Sequence, residues 1–211
     1  NTNGYCYDAD GNLTADGADV YLYDIENRLV QMRAQTNSDC AALSYAGTIM
    51  AALRYDPAGR LHEAKGYTAG TLTSTTRFLY DGDALVGEYH GGTGVLRRYV
   101  HGADAGADDP LVWFEGTGTG NASARHLYAD PRGSIVLVGN ASGGAVAIDS
   151  YDEWGTPDTP AATIAAKGRF RYTGQAWLPE IGMYYYKARI YSPTLGRFMQ
   201  TDPIGYGDHA N

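Results

Sequence analysis

Apolar and polar residues alternate along this chain in short runs, and each run ends in a turn sequence. The clearest run is Gly182 to Tyr191. Tyr184, Tyr186, Ala188 and Ile190 fall on one face there, with Tyr185, Lys187, Arg189 and Tyr191 on the other; this predicts one strand whose first set faces the core. Elsewhere the dominant signal is repetition. A unit of Tyr-Asp, two spacers, Gly or Asn, a polar residue and often Leu begins at Tyr7, Tyr23 and Tyr55, and more loosely at Tyr80, Tyr128 and Tyr151.

Each unit encodes a turn. Asp suits the first position because its carboxylate accepts from backbone N–H groups two residues on. Pro suits the second, and Gly or Asn tolerates the left-handed conformation that closes a hairpin. Asp56-Pro57-Ala58-Gly59 and Asp130-Pro131-Arg132-Gly133 meet all three preferences. The Tyr then ends one strand and the Leu or Ile starts the next. Copies recur at uneven intervals, which argues against a short-period solenoid and for hairpins stacked in one sheet. Single hairpins are marginal in water, so neighbouring copies must support one another. An ordinary antiparallel sandwich or barrel using the same turns is the alternative.

Three stretches depart from the pattern. Asp39 to Ala52 is Ala-rich and reads as a short helix or an insertion between strands. Thr156 to Gly168, with Pro157 and Pro160, reads as a loop with one helical turn. Gly116 to Gly120 has the glycines of a phosphate loop but neither its Lys-Ser/Thr nor a following helix, so a hairpin tip is expected.

Composition sharpens this picture. Gly is 28 of 211 residues, about twice the average share of roughly 7%, and Tyr is 18 against Phe 4. Gly supplies the positive φ of tight turns, and Tyr suits half-buried pleated surfaces. The formal charge of −8 disfavours nucleic-acid binding. No apolar run is long enough for a spanning helix, and no membrane insertion is expected. The chain starts at Asn1 without a secretory signal and is expected to be a fragment. Cys6 and Cys40 could pair in an oxidising compartment, but two cysteines make no framework, and isolated thiols are the expectation. The sequons at Asn12, Asn121 and Asn140 are expected to be accidental. His62, His90, His101, His126 and His209 show no metal-ligand spacing, and no cofactor or metal is expected. Trp113, Trp154 and Trp177 are expected to pack on strands or anchor loops rather than line a carbohydrate groove.

The motifs sharpen after Gly168. Arg169-Phe170-Arg171-Tyr172-Thr173-Gly174-Gln175, Gly182-Met183-Tyr184-Tyr185-Tyr186-Lys187-Ala188-Arg189, Gly196-Arg197-Phe198 and Asp202-Pro203-Ile204-Gly205 follow in order. This block closely resembles the RHS repeat-associated core domain, and the upstream units resemble the YD repeats of that family. The resemblance covers nearly the whole chain. It implies an all-β fold of stacked antiparallel hairpins forming part of a spiralling β-sheet shell, with residues 1–167 as the hairpin array and 168–211 as the core-associated segment of the same sheet. In bacterial polymorphic toxins and insecticidal toxin complexes such a shell holds a C-terminal toxin, which the core domain releases by aspartate-type autoproteolysis. The implied partners are the rest of the parent polypeptide, the enclosed toxin, and toxin-complex or secretion-system components. The implied location is secreted or at the bacterial cell surface. Related shells in animal teneurins serve adhesion, so an adhesion or carbohydrate-binding module is the alternative function.

Asp202 matches a family aspartate linked to self-cleavage. That chemistry needs two carboxylates sharing a proton, one activating water and the other polarising the peptide carbonyl. Asp208, six residues on, is the nearby candidate for the second, and Arg197 the candidate supporting cation. The family's cleaved Asp-Pro-x-Gly-Leu motif is expected downstream of Asn211. A plain turn role for Asp202 stands beside the catalytic one, because four of the eight prolines (Pro57, Pro110, Pro131 and Pro203) follow Asp. A purely structural role further predicts no deep polar pocket with perturbed titratable groups.

Overall fold

The computed structural model describes residues 4–92, 94–103, 108–159 and 164–203. Its first sheet runs β1 (Tyr5–Tyr7), β2 (Leu13–Asp16), β3 (Asp19–Tyr23), β4 (Leu29–Ala34), β5 (Ile49–Tyr55), β6 (Leu61–Thr68), β7 (Thr71–Asp81), β8 (Ala84–His90), β9 (Val95–His101), β10 (Pro110–Glu115), β11 (Ala124–Ala129), β12 (Ile135–Asn140) and β13 (Ala145–Ile148). These 13 strands lie in strict chain order, so each connection is a hairpin between neighbours. The pairings are antiparallel. A helical turn α1 (Ile164–Lys167) precedes a four-stranded sheet of β14 (Ala176–Leu178), β15 (Met183–Tyr185), β16 (Ile190–Ser192) and β17 (Arg197–Phe198).

The repeat positions behave as their residues dictate. Tyr7, Tyr23 and Tyr55 end strands, and Leu13, Leu29 and Leu61 begin the next, each Tyr paired across the hairpin with its Leu. A register shift just before each Tyr absorbs the odd residue of the turn, as a bulge does. The copy at Tyr80 is built differently: Asp81 pairs with Ala84, leaving a two-residue Gly82-Asp83 turn in which Gly82 has φ 56°.

The chain packs as two compact units. One contains the chain up to Thr75 and the stretch from Tyr185 onward; the other is Thr76–Tyr184. In the first, Leu13, Val20, Tyr21, Leu29, Leu53 and Leu61 are buried together with Tyr185, Ile190 and Met199. In the second, Phe78, Tyr99, Trp113, Leu127 and Val138 are buried with Phe170, Trp177 and Tyr184, while Leu79, Val100 and Tyr128 on the alternate positions are exposed. That alternation is the period-two signature of a sheet covered on one face. Each fully buried Leu or Phe contributes about 1.5–3 kcal/mol.

Three expectations change here. Cys6 and Cys40 form a disulfide, with Cα atoms 5.4 Å apart, instead of standing as separate thiols. The fold decides this by laying the β4–β5 connection against β1, which spacing alone could not reveal. The run Gly182–Tyr191 is not one strand. It breaks into β15 and β16 about a tight reversal in which Lys187 takes φ 63° and Tyr186 N–H donates to Arg189 O at 2.8 Å. Ala188 therefore lies exposed in the turn, whereas Tyr184 and Ile190 are buried. The Ala-rich stretch holds only a single 3₁₀ turn, Cys40–Ala42, and its end already belongs to β5. The helical turn expected before Gly168 is α1, and Gly116–Gly120 sits in the β10–β11 connection.

Candidate functional site: the seat of the C-terminal block

The repeat turn is one five-residue device that occurs six times among the described residues. In each, the first residue's carbonyl accepts from the N–H three positions on, and its N–H donates to the carbonyl four positions on. Its side-chain Oδ1 takes two more N–H groups, as Asp56 does from Ala58 (2.9 Å) and Arg60 (3.0 Å). Asp8, Asp24, Asp130 and Asp152 repeat these contacts. The fourth residue is left-handed: Gly11, Asn27, Gly59, Gly133, Gly143 and Gly155 have φ between 60° and 90°. The copy beginning at Asn140, with Oδ1 accepting from Ser142 and Gly144 at 2.9 Å, was hidden because Asn replaces Asp and no Tyr precedes it. Burial works to raise the carboxyl pKa at Asp24 and Asp56, but the hydrogen bonds from Arg28 and Arg60 and the backbone outweigh it and hold both below their usual value.

The tyrosines link one turn to the next. Tyr23 Oη donates to Leu13 O (2.7 Å), Tyr55 Oη to Leu29 O (3.0 Å) and Tyr151 Oη to Ile135 O (2.7 Å). Each hydroxyl thus reaches the carbonyl that opens the return strand of the preceding Tyr-bearing repeat. Phe could pack the ring but not make this bond, which accounts for Tyr at these three positions.

Residues that open return strands also give N–H groups to the C-terminal block. In the first unit Leu13 N–H donates to Met199 O (2.9 Å) and Leu61 N–H to Tyr185 Oη (3.0 Å). In the second, Ile135 N–H donates to Arg171 O (3.0 Å). A buried N–H without a partner costs about 1–3 kcal/mol, so the block completes the repeats and does more than cover them.

The block's charged side chains make the second unit's deepest contact. Glu88, wholly buried, receives Arg169 through both oxygens (Nε–Oε1 3.0 Å, Nη2–Oε2 2.7 Å), with Arg97 Nη1 at 3.5 Å and the Tyr99 hydroxyl donating to it. Arg169 also donates to Trp177 O (2.7 Å) and lies over the Phe78 ring at 5.2 Å. Desolvation pushes the Glu88 carboxyl pKa up, but Arg169 and Arg97 outweigh it and hold the acid below its usual value. Nearby, Lys167 Nζ bridges Asp149 (2.9 Å) and Asp158 (2.7 Å), and burial raises the Asp149 pKa. Sequence reasoning missed both clusters. The clue to the first was a Glu at an inward-facing strand position, where burial demands a partner. These groups are perturbed but mutually paired, which suits packing better than turnover.

Asp202 sits in the first unit. Its Oδ2 pairs with Arg189 Nη2 at 2.7 Å, and the Arg189 guanidinium lies over the Phe198 ring at 3.9 Å, inside an edge-to-face cluster with Tyr186 and Tyr191. Gln200 Oε1 accepts from Ile190 N–H (2.9 Å) and Met199 N–H donates to Ile190 O (2.8 Å), fixing the backbone that leads to Asp202. Arg189 thus supplies a cation to Asp202, and Arg197 Nη1 donates to the Tyr7 hydroxyl (2.6 Å). Both arginines line a shallow open cleft with Tyr7, Gly11, Phe198 and Thr201. Asp208 lies outside the described residues. Among the described residues no group of His, Cys, Asp and Glu is arranged to hold a metal, and no helix is long and apolar enough to cross a membrane. Trp113 and Trp177 are buried, while Trp154 is 54% exposed at a turn tip.

No family model matches the chain. It is 29% identical over 206 residues, 96% of its own length, to the tRNA3(Ser)-specific nuclease WapA of Bacillus spizizenii, and 30% identical over 97% of its length to the double-stranded DNA deaminase toxin A of Burkholderia cenocepacia. The chain is similar to a piece of bacterial toxin proteins. It spans 8% of the first relative and 15% of the second. Among solved structures, the crystal structure of TcdB2-TccC3-Cdc42 superimposes with a TM-score of 0.68 at 21% identity, covering 96% of this chain and 10% of that one. The likeness establishes the all-β fold of sequentially stacked hairpins.

Proposed function

We propose that this chain is a wall segment of an RHS/YD-repeat toxin carrier, enclosing a toxin domain of its parent polypeptide outside the producing cell. The carrying observation is the set of hydrogen bonds from repeat backbone N–H groups to the C-terminal block. Leu13, Leu61 and Ile135 each give their N–H to it, so wall and block form as one hydrogen-bonded body within each unit. A relative carrying a nuclease and another carrying a deaminase around a similar segment fit a common container for different cargoes. Partners in this reading are the rest of the parent, the enclosed domain and the complex that delivers it.

Asp202 has the further proposed role of autoproteolytic acid in the intact parent, with Asp208 as its second carboxylate. Arg189 supports this by holding one Asp202 oxygen. One carboxylate would take the proton of the attacking water while the other donates to the peptide oxygen. Two measurements on the parent protein separate these claims. Protease should degrade the C-terminal domain far more slowly in the parent than when it is made alone; equal rates would reject enclosure. Asp202→Asn should leave that protection intact while stopping processing, and unchanged processing would reject the catalytic assignment.

A further inference from the structure

The connection from β4 to β5, Gln35–Thr48, is a closed loop with its neck fixed by Ala34 N–H to Thr48 O at 2.9 Å. It reaches across to β1, where Cys40 is bonded to Cys6. Leu43 packs on a small cluster of Cys6, Ala15 and Val20. The loop's other hydrogen bonds to the strands beneath gather at the neck: Gln35 N–H to Ala18 O (2.8 Å), Gly17 N–H to Gln35 Oε1 (2.9 Å) and Arg33 Nη1 to Gly47 O (3.0 Å), with Tyr45 beside Tyr21 and Tyr23. Thr36 to Ala42 are exposed throughout. β1 is three residues long, with rungs Tyr5↔Asp16, Cys6↔Ala15 and Tyr7↔Leu13, and Arg197 Nη1 donates to the Tyr7 hydroxyl (2.6 Å).

We propose that Gln35–Thr48 is a redox-released strap clamping strand β1, opened by thiol reductants such as a protein dithiol. The two sulfurs are unequal. Cys6 is 3% exposed, whereas Cys40 stands on the exposed side of the strap. A thiolate therefore attacks Cys40, forming a mixed disulfide and releasing Cys6 as a thiolate, which takes a proton. The reductant's second thiol then displaces Cys40, so the dithiol is oxidised to its disulfide while the protein gains two thiols. Access decides the order of attack, and compartment decides whether it happens: the bond persists in oxidising surroundings and is lost in a reducing cytosol.

Release is local because so little else holds the strap. A largely exposed loop with few apolar anchors belongs to the low-stability end of a structure, and a three-rung strand that loses its tether loosens with it. Opening uncovers the Cys6, Ala15 and Val20 cluster. The disulfide itself joins only β1 to the strap, while later repeats are held by bonds of their own, such as Tyr55 Oη to Leu29 O and Tyr151 Oη to Ile135 O. This inference does not depend on the toxin-carrier reading.

The test compares hydrogen exchange and limited proteolysis of the chain, purified from an oxidising compartment, with and without dithiothreitol. Thiol labelling confirms complete reduction. The variant Cys40→Ser, which alters only the exposed partner, is measured without reductant. Reduction and the variant should each raise cleavage within 35–48 and exchange at Cys6 and Ala15 by tenfold or more, with Leu127 and Val138 unchanged. Unchanged protection of strap and β1 overturns the proposal. So does loss of protection everywhere at once, which marks a global staple, or recovery of the oxidised protein with both thiols free.

Discussion

Removing the Glu88 carboxylate should be among the most damaging single changes in the second unit. Glu88 is wholly buried and Arg169 is 2% exposed, so its loss strands a guanidinium in the core. At an effective dielectric of about 20, one charge pair near 4 Å is worth ~4 kcal/mol. Breaking a buried pair by removing one partner costs about 3–5 kcal/mol. Arg169 keeps its bond to Trp177 O, which favours the lower half of that range for Glu88→Leu, about 3–4 kcal/mol. Glu88→Leu combined with Arg169→Met removes both charges, so the pair should cost clearly less than the sum of the single changes. The coupling in the double-mutant cycle should then be ~2–3 kcal/mol. Urea unfolding followed by tryptophan fluorescence suits the assay, since Trp113, Trp154 and Trp177 all lie in the second unit. A single-mutant cost below ~1 kcal/mol, or strictly additive costs, would falsify the claim that this ion pair is an energetic link between sheet and block.

Asp19 offers a pH prediction of known sign. Burial, aided by the charge of Asp16, pushes its carboxyl pKa up to about 6. The folded state then binds more protons than the unfolded one between about pH 4 and pH 6, so stability falls as pH rises through that window. Thermal melts at pH 5 and pH 7.5 should show Asp19→Asn stabilising the protein at the higher pH and much less at the lower; a pH-independent effect would contradict this. Tyr23→Phe removes the hydroxyl that bonds Leu13 O and, at 3.1 Å, Met199 O, and should cost about 1–2 kcal/mol, with faster exchange at Leu13. Tyr128→Phe, at a half-exposed ring, serves as the control and should stay within about 0.5 kcal/mol. Gly155→Ala should destabilise by about 2 kcal/mol or more, because φ is 90° and the new Cβ would lie 2.4 Å from the Tyr172 ring. A neutral result in chemical denaturation would mean that turn can relax freely.

The sequence by itself determined the turns, and through them the order of the sheet. Asp56 to Leu61 carries every group its turn uses: a carboxylate for two N–H groups, a left-handed Gly, and an apolar residue to open the return strand. Because those interactions close within five residues, reading neighbours is enough, and sequential hairpins leave one simple stacking order. Tertiary structure decided everything that joins distant residues. Glu88 and Arg169 are 81 positions apart, Cys6 and Cys40 are 34 apart, and Asp202 has Arg189 rather than Arg197 as its cation. None of these pairings has a local signature, since each side chain alone fits a solvent-facing strand or loop. The reversal at Lys187 escaped detection for a related reason: a Lys inside an apolar run carries none of the Gly or Asn signal of a left-handed turn, yet Tyr185 and Ile190 on either side of it are buried.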